Sequence, residues 1–155
     1  MVQSGTARAV DSLVLRVGDA EAEVRLWPHL APRTVEALVA ALPVETDLQH
    51  CKWSGSACFA DLSGPSLLAL EGLESPVTSI YPRTLAVRPP TGPAPTAELL
   101  IAYGGAEYRW PDGRAYVTPV GELVGEAGAC LSALAATAAD GRVRVRIAVK
   151  GGSGA

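Results

Sequence analysis

Apolar and polar residues alternate strictly in two stretches near opposite ends of the chain. Residues 20–26 read Ala-Glu-Ala-Glu-Val-Arg-Leu, and residues 142–149 read Arg-Val-Arg-Val-Arg-Ile-Ala-Val. A period of two places one set of side chains on each face of a strand, so each stretch predicts a strand with one buried and one solvated face. The apolar positions of residues 13–17 precede the first stretch, and Gly18-Asp19 between them can form a tight turn. This pattern predicts a hairpin over residues 13–26 and a strand over residues 142–149, whose arginines form a solvated face.

Shorter apolar stretches bounded by turn residues predict the remaining strands. They lie at residues 47–53, 56–62, 76–80, 84–88, 98–103, 106–110 and around 115–118. Gly104-Gly105 is interpreted as a hairpin turn between two of them.

Two segments carry the period of a helix instead. Pro32 suits a first helical position, the apolar residues Val35, Leu38, Val39 and Leu42 then form one stripe, and Pro43 ends the helix. The second helix is predicted from about residue 126 to residue 139, with Asp140-Gly141 at its end. A sheet closed into a barrel and covered by these two helices would bury every apolar face and leave no exposed strand edge.

Length and composition favour one globular domain. The chain has 155 residues, of which 48% are hydrophobic and 19% charged, which is enough apolar matter for a core and too little charge for disorder. We expect a single domain over residues 11–150, flanked by flexible tails at residues 1–10 and 151–155.

Charge and hydropathy exclude several classes of partner. The net charge of −3 gives no basic face for nucleic acid, and no apolar run reaches the roughly 18 residues that a membrane helix needs. Residues 1–10 lack the apolar segment of a secretory signal, so a cytoplasmic location is expected.

The cysteines and histidines form no metal-binding pattern. Cys51, Cys58 and Cys130 are an odd number without a disulfide or zinc spacing, and we expect reduced thiols in the core. Neither a histidine-rich metalloprotease motif nor a phosphate-binding glycine loop followed by a lysine is present, so no metal or cofactor is predicted.

Three short segments carry a resemblance to a known family. They are Leu30-Ala31-Pro32-Arg33-Thr34, the residues 50–59 that read His-Cys-Lys-Trp-Ser-Gly-Ser-Ala-Cys-Phe, and Ile101-Ala102-Tyr103-Gly104. Together with the order of elements they resemble the DUF3830 family of uncharacterised bacterial cyclophilin-like proteins. The resemblance implies a mainly β fold, a closed cyclophilin-like barrel of about eight strands with two α-helices. It implies no established activity.

Cyclophilins are prolyl isomerases, and the resemblance allows that activity to be tested on the residues. In cyclophilins a histidine and an arginine lie on the strand after the first helix, where the arginine polarises the substrate amide. The corresponding segment here, residues 48–53, reads Leu-Gln-His-Cys-Lys-Trp and contains no arginine. Lysine lacks the planar donor fork of arginine, so prolyl isomerase activity is not expected.

The same segment supplies the first candidate site residues. His50 can act as a base or a hydrogen-bond partner near neutral pH, and Lys52 and Trp53 are candidate ligand contacts. Alternation places His50 and Lys52 on one face and Cys51 and Trp53 on the other, but it leaves open which face points into the barrel. A surface histidine satisfied by a neighbour, and a tryptophan that fills the core, are the structural alternatives.

Arg83 and Tyr103 complete the set of candidates, because an arginine and a phenol can hold a carboxylate or a planar amide. We therefore expect a small-molecule-binding module, with self-association of the barrel as a further expectation. One alternative is an enzyme that acts on a small amide or cyclic amide, with His50 as general base, Lys52 or Arg83 holding the developing negative charge and Tyr103 orienting the substrate. Another is a structural or interaction subunit.

Overall fold

The computed structural model describes residues 9–151, so most of both predicted tails lies outside the described residues. Three helices are present: α1 (Pro32–Ala41), the short α2 (Pro65–Leu68) and α3 (Gly128–Asp140). The strands are β1 (Ser12–Val17), β2 (Ala20–Leu26), β3 (Val44–His50), β4 (Gly55–Leu62), β5 (Ser79–Ile80), β6 (Thr84–Arg88), β7 (Ala97–Glu107), β8 (Arg109–Trp110), β9 (Gly113–Arg114), β10 (Thr118–Val124) and β11 (Arg142–Val149).

Eight of these strands form a closed antiparallel barrel. Their order is β4-β3-β11-β1-β2-β10-β6-β7, and β4 also pairs with β7, which closes the ring. The predicted fold class is confirmed: the chain is mainly β, with two helices of more than two turns, and it is consistent with a cyclophilin-like barrel. The short strand β5 pairs with the far end of β7 outside this ring.

The barrel interior and the two long helices share one apolar core. Leu15, Leu48 and Ile101 belong to this core and are completely buried, and α1 and α3 add Leu38 and Leu134 to it. Burial of the α1 stripe in this core explains why its helical pattern was readable, whereas the buried side chains of α3 are Cys130, Leu134 and Thr137.

The arginine-bearing face of β11 is solvated, as the alternation predicts. Arg142 and Arg144 are exposed, and they lie 3.6–3.9 Å from the carboxylates of Glu45 and Asp47 on the neighbouring strand β3. Exposed pairs of this kind contribute little, typically about 0–1 kcal/mol each. The prediction of reduced, buried thiols is confirmed too, since Cys51, Cys58 and Cys130 are free and buried.

Gly104 and Gly105 do not form the predicted hairpin turn. Strand β7 runs straight through them from Ala97 to Glu107. Gly104 lies against the neighbouring strand, where a Cβ atom would come within 2.7 Å of the Ser56 Cβ. The glycine therefore permits a close approach of two strands, and the actual hairpin turn falls at Pro111-Asp112 between β8 and β9.

A second apolar cluster lies on the outside of the barrel. Its completely buried members are Ala57, Ala86, Leu100, Ala102 and Val117, which come from strands β4, β6 and β7 and from the segment before β10. Residues 107–117, which include the β8-β9 hairpin, fold over this outer face, and a backbone bridge between Val77 and Val117 holds the end of the segment. This outer cluster positions the candidate site.

None of the helices within residues 9–151 is both long enough and apolar enough to cross a membrane.

Candidate functional site

A pocket of about 270 Å³ opens on the outer face of the barrel, between the end of β3 and the β8-β9 hairpin. Two stretches of the chain form its walls. The first wall, in residues 49–59, consists of Gln49, His50, Cys51, Lys52, Trp53, Ser54 and Phe59, and the second wall, in residues 98–110, consists of Glu98, Tyr108, Arg109 and Trp110.

Aromatic side chains make up much of the pocket lining. Phe59 and Trp110 are half-buried and pack against the outer cluster, whereas Trp53 at the pocket mouth is 57% exposed. The polar edge of Trp110 is already satisfied, because its Nε1 donates to the Tyr108 hydroxyl at 2.8 Å. The Trp110 ring can therefore offer a ligand apolar contact without leaving its own N–H unpaired.

Glu98 is the acidic residue among those that line the pocket, and its carboxylate lies near Tyr108, Arg88 and Asp61. Its side chain is 13% exposed. The Tyr108 hydroxyl donates a short hydrogen bond to Oε1, and an Nη2 atom of Arg88 lies 3.7 Å from Oε2. Trp110, Tyr108 and Glu98 thus form a chain of hydrogen bonds in which each donor points toward the carboxylate.

Arg88 supports this arrangement from behind the pocket. Its side chain is 5% exposed, and its guanidinium donates to the carbonyl oxygens of Pro89 and Thr96 and lies 5.0 Å from the centroid of the Trp110 ring. Stacking on an aromatic face stabilises a desolvated guanidinium. Arg88 therefore fixes Trp110 and supplies the positive charge nearest to Glu98.

Burial changes the protonation behaviour of the pocket. It raises the pKa of Glu98 above its ordinary value, and Asp61 adds to this effect, although the Tyr108 hydroxyl and Arg88 oppose it. Burial also raises the pKa of the Cys51 thiol to about 12. Cys51 is thus a protonated thiol at neutral pH and is unsuited to act as a nucleophile.

The structure resolves which face of the His50 strand points inward. Leu48 belongs to the barrel core, and His50 lies on the same face, where its Nε2 shares a hydrogen bond of 2.7 Å with the Tyr103 hydroxyl. Cys51 belongs to the outer cluster and Trp53 is largely exposed. The orientation that would place Cys51 and Trp53 inside the barrel is therefore wrong, as is the alternative that Trp53 fills the core.

Three of the five predicted site residues, His50, Lys52 and Trp53, are among the lining residues of the pocket. Tyr103 is not one of them, and it bonds to the His50 imidazole on the core-facing side of β3. Arg83 does not lie at this pocket. Its guanidinium donates to the Gly125 carbonyl, while its backbone N–H and C=O bond to Ala102 and Leu123 with φ at +76°. Arg83 therefore joins strands rather than lining the pocket.

The second wall was not predicted from the sequence. Glu98 lies in the strand predicted at residues 98–103, and Tyr108 and Trp110 lie in the strand predicted at residues 106–110. One signal was present: Glu98 is a single carboxylate in the run Ala97–Ala102, which is otherwise apolar on both strand faces. A charged residue in a strand whose two faces are both covered needs a partner of opposite charge. Arg88 on β6 is a second charged residue in a strand of this kind.

Within residues 9–151, no group of three His, Cys, Asp or Glu side chains could hold a metal ion.

Two solved structures share this fold. The structure of McbB in complex with tryptophan superposes with a TM-score of 0.69 at 19% sequence identity, and the match covers 92% of this chain and 46% of McbB. The chain thus corresponds to about half of the McbB chain. The solution structure of the hypothetical protein AF2241 from Archaeoglobus fulgidus matches with a TM-score of 0.54 at 19% identity, over 94% of this chain and 98% of AF2241. No curated protein matches the sequence.

The family comparison bears on the wall that contains His50. The model of the DUF3830 family, described as a protein of unknown function, matches residues 13–83. Two of the three segments that carried the resemblance lie within this range, and the third, residues 101–104, lies beyond it. The resemblance to the DUF3830 family is therefore confirmed over residues 13–83.

Proposed function

We propose that the protein is a small-molecule-binding module whose ligand is a planar aromatic compound held in the outer pocket, and that it has no prolyl isomerase activity. The observation that supports this proposal is the lining itself: Trp53, Phe59 and Trp110 surround one pocket that also contains a single buried acidic group, Glu98. Ligand sites are typically concave, mostly apolar and equipped with a few polar groups.

The size of the pocket limits the ligand. At about 270 Å³ it lies just below the range of roughly 300–1,000 Å³ that is typical of drug-sized ligands. A one- or two-ring compound suits this volume. Since the structurally similar McbB was solved with tryptophan, indole compounds are the natural first probes.

Calorimetric titration with indole tests the proposal. We expect wild-type protein to bind indole, and we expect Trp53→Ala to weaken binding about tenfold, because an aromatic contact contributes roughly 0.5–1.5 kcal/mol beyond its buried area. Tyr81→Ala is the matched control: this aromatic residue is also exposed and lies outside the pocket. The proposal fails if wild-type protein binds no indole compound, or if both variants weaken binding equally.

Thermal unfolding gives an independent measurement. A ligand at 100 times its dissociation constant stabilises the folded state by about 2.7 kcal/mol, which corresponds to a shift of roughly 5–10 °C for a domain of this size.

The hydrogen bond between His50 and Tyr103 favours a second candidate, an enzyme acting on a small amide. His50 lines the pocket, and the Tyr103 hydroxyl, 2.7 Å from Nε2, could orient the imidazole as a general base. With Arg83 outside the pocket, Lys52 is the remaining predicted residue for a developing negative charge. Once a ligand is known, His50→Ala separates the two functions: retained affinity with abolished turnover supports the enzyme, whereas a modest loss of affinity without any wild-type turnover supports the binder.

A further inference from the structure

We propose that the ligand of the outer pocket is an aromatic amine, and that its protonated nitrogen binds the carboxylate of Glu98. This inference rests on the proposed function and specifies the class of ligand.

Glu98 has acceptor capacity that the protein does not use. An ionised carboxylate offers about four lone-pair positions. The Tyr108 hydroxyl occupies one, and Arg88 forms an ion pair with the other oxygen at 3.7 Å. These two side chains are the partners of the carboxylate among residues 9–151, so lone-pair positions remain, and Glu98 lines the pocket. A ligand N–H group can therefore reach an acceptor that is partly buried and already oriented.

The Tyr108 and Trp110 donors at Glu98 are committed to the protein. The buried Nε–H of Arg88 has no hydrogen-bond partner among residues 9–151, but Arg88 does not line the pocket. The indole N–H of Trp110 donates to Tyr108, and the hydroxyl of Tyr108 donates to Glu98. The complementary ligand must therefore bring a donor of its own rather than an acceptor. The charge of the site also favours a ligand that donates. Burial desolvates the Glu98 carboxylate and raises its pKa, and a cationic ligand would compensate for the lost hydration.

The other charged groups near the pocket do not reverse this preference. Lys52 and Arg109 line the mouth and are exposed, so water and salt screen their repulsion of an ammonium group. Arg88 lies behind Glu98, Asp61 adds negative charge beside it, and the Cys51 thiol is neutral. His50 also lines the pocket, and its Nε2 is engaged by the Tyr103 hydroxyl at 2.7 Å.

A pair of ligands with the same ring isolates the role of the amine. Tryptamine and tryptophol differ only in carrying an ammonium or a hydroxyl group on the same side chain, and an aliphatic amine stays protonated at pH 7.5. By calorimetry at that pH we expect wild-type protein to bind tryptamine about tenfold more tightly than tryptophol, as is typical of a hydrogen bond to a charged group. Indole-3-propionate, which carries a carboxylate, should bind most weakly.

Glu98→Gln tests the residue. This variant keeps the shape of the side chain and removes its charge, so we expect it to bind tryptamine and tryptophol equally. Glu36→Gln removes one charge from an exposed position on α1 outside the pocket and should keep the wild-type preference. Circular dichroism and the melting curve of each unliganded variant show whether it is folded.

The outcomes separate this inference from the proposed function. Binding of tryptophol at least as tight as that of tryptamine by wild-type protein overturns the amine and leaves aromatic binding intact, and it does so even if Glu98→Gln does not fold. If wild-type protein binds indole-3-propionate more tightly than tryptamine, the exposed Lys52 and Arg109 select the ligand, and this result overturns the inference as well. A folded Glu98→Gln variant that keeps the tenfold preference excludes Glu98 as the amine contact. If no indole compound binds, the proposed function itself is wrong.

Discussion

Two glutamates with little exposure show how partners decide the protonation of a buried carboxylate. Glu74 accepts hydrogen bonds from the backbone N–H groups of Arg33 and Thr34 and from the Thr34 hydroxyl, so its pKa is lowered although burial opposes this. Glu98 has fewer donors, and burial raises its pKa. Glu74 stabilises the fold, because it accepts hydrogen bonds from the first N–H groups of α1. The N-cap residue of this helix, Ala31, makes no side-chain hydrogen bond to them. Glu98 retains acceptor capacity for a ligand.

Replacement of Glu74 should destabilise the protein in a pH-dependent way. We expect Glu74→Gln to lower the free energy of unfolding by about 1 kcal/mol at pH 7, because the amide keeps one acceptor oxygen but loses the charge that strengthens the hydrogen bonds from Arg33 and Thr34. Because the folded pKa is lowered, this stabilisation is present above the ordinary value of 4.5 and disappears as the pH falls through the folded pKa. Urea titrations from pH 7 to pH 3 measure it. A difference in the free energy of unfolding between variant and wild type that stays constant from pH 7 to pH 3 would contradict the role of the charge. Glu71→Gln, at an exposed position nearby, is the control.

Glu98 should give the opposite pH dependence. The pKa of Glu98 is raised in the folded state, so the folded state holds the carboxyl proton more tightly than the unfolded state does. As the pH rises above 4.5, the ordinary pKa of a glutamate, the free energy of unfolding therefore decreases until the pH passes the folded pKa. Relative to wild type, Glu98→Gln should therefore become more stable as the pH rises from 4 to 7 in the same titrations. If the variant instead loses stability relative to wild type over this interval, Glu98 is stabilised as the charged form.

At the scale of elements, the sequence predicted those strands that have one face in the core and one in water. The hairpin of β1 and β2, strand β11 and both long helices lie close to their predicted positions, because their alternation or stripe reflects burial directly. Strand β10 was largely missed since Pro119 and Gly121 interrupt its pattern at a bulge. The outer cluster was missed too, because it covers the second face of β6 and β7 and so removes their alternation. The aromatic wall of the pocket went unpredicted for the same reason.

Gly121 should be essential to the pairing of β10 with β2. A Cβ atom at this position would meet the Arg25 carbonyl oxygen at 2.5 Å, a backbone atom that cannot move aside cheaply. We expect Gly121→Ala to lower the free energy of unfolding by about 1–3 kcal/mol, as overpacking does. Gly128→Ala, at the first residue of α3 where nothing lies within 4 Å, should have no such cost. Equal stability of the two variants in chemical denaturation would contradict the close strand approach at Gly121.

At the scale of the whole molecule, the closed barrel is a scaffold, and the chemistry lies in what is added to its outer face. A barrel fold does not determine an activity. The strand after α1 lacks the arginine that prolyl isomerase activity of the cyclophilin kind would require. The arginine that lines the pocket, Arg109, comes from the β8-β9 hairpin and is exposed.

A peptide isomerisation assay tests this conclusion directly. We expect no acceleration of prolyl isomerisation in a short proline-containing peptide above the uncatalysed rate, at any protein concentration that leaves the peptide in excess. Strong catalysis, abolished by Arg109→Ala, would show that the hairpin arginine replaces the missing one and would overturn the assignment.

The family comparison covers one wall of the pocket and not the other. Residues 49–59 lie within the segment that matches the family model, whereas Glu98, Tyr108 and Trp110 lie beyond it. The match therefore carries no information about the residues that the proposed ligand would contact on the second wall. A search for the ligand has to start from residues 98–110 of this chain and not from the family signature.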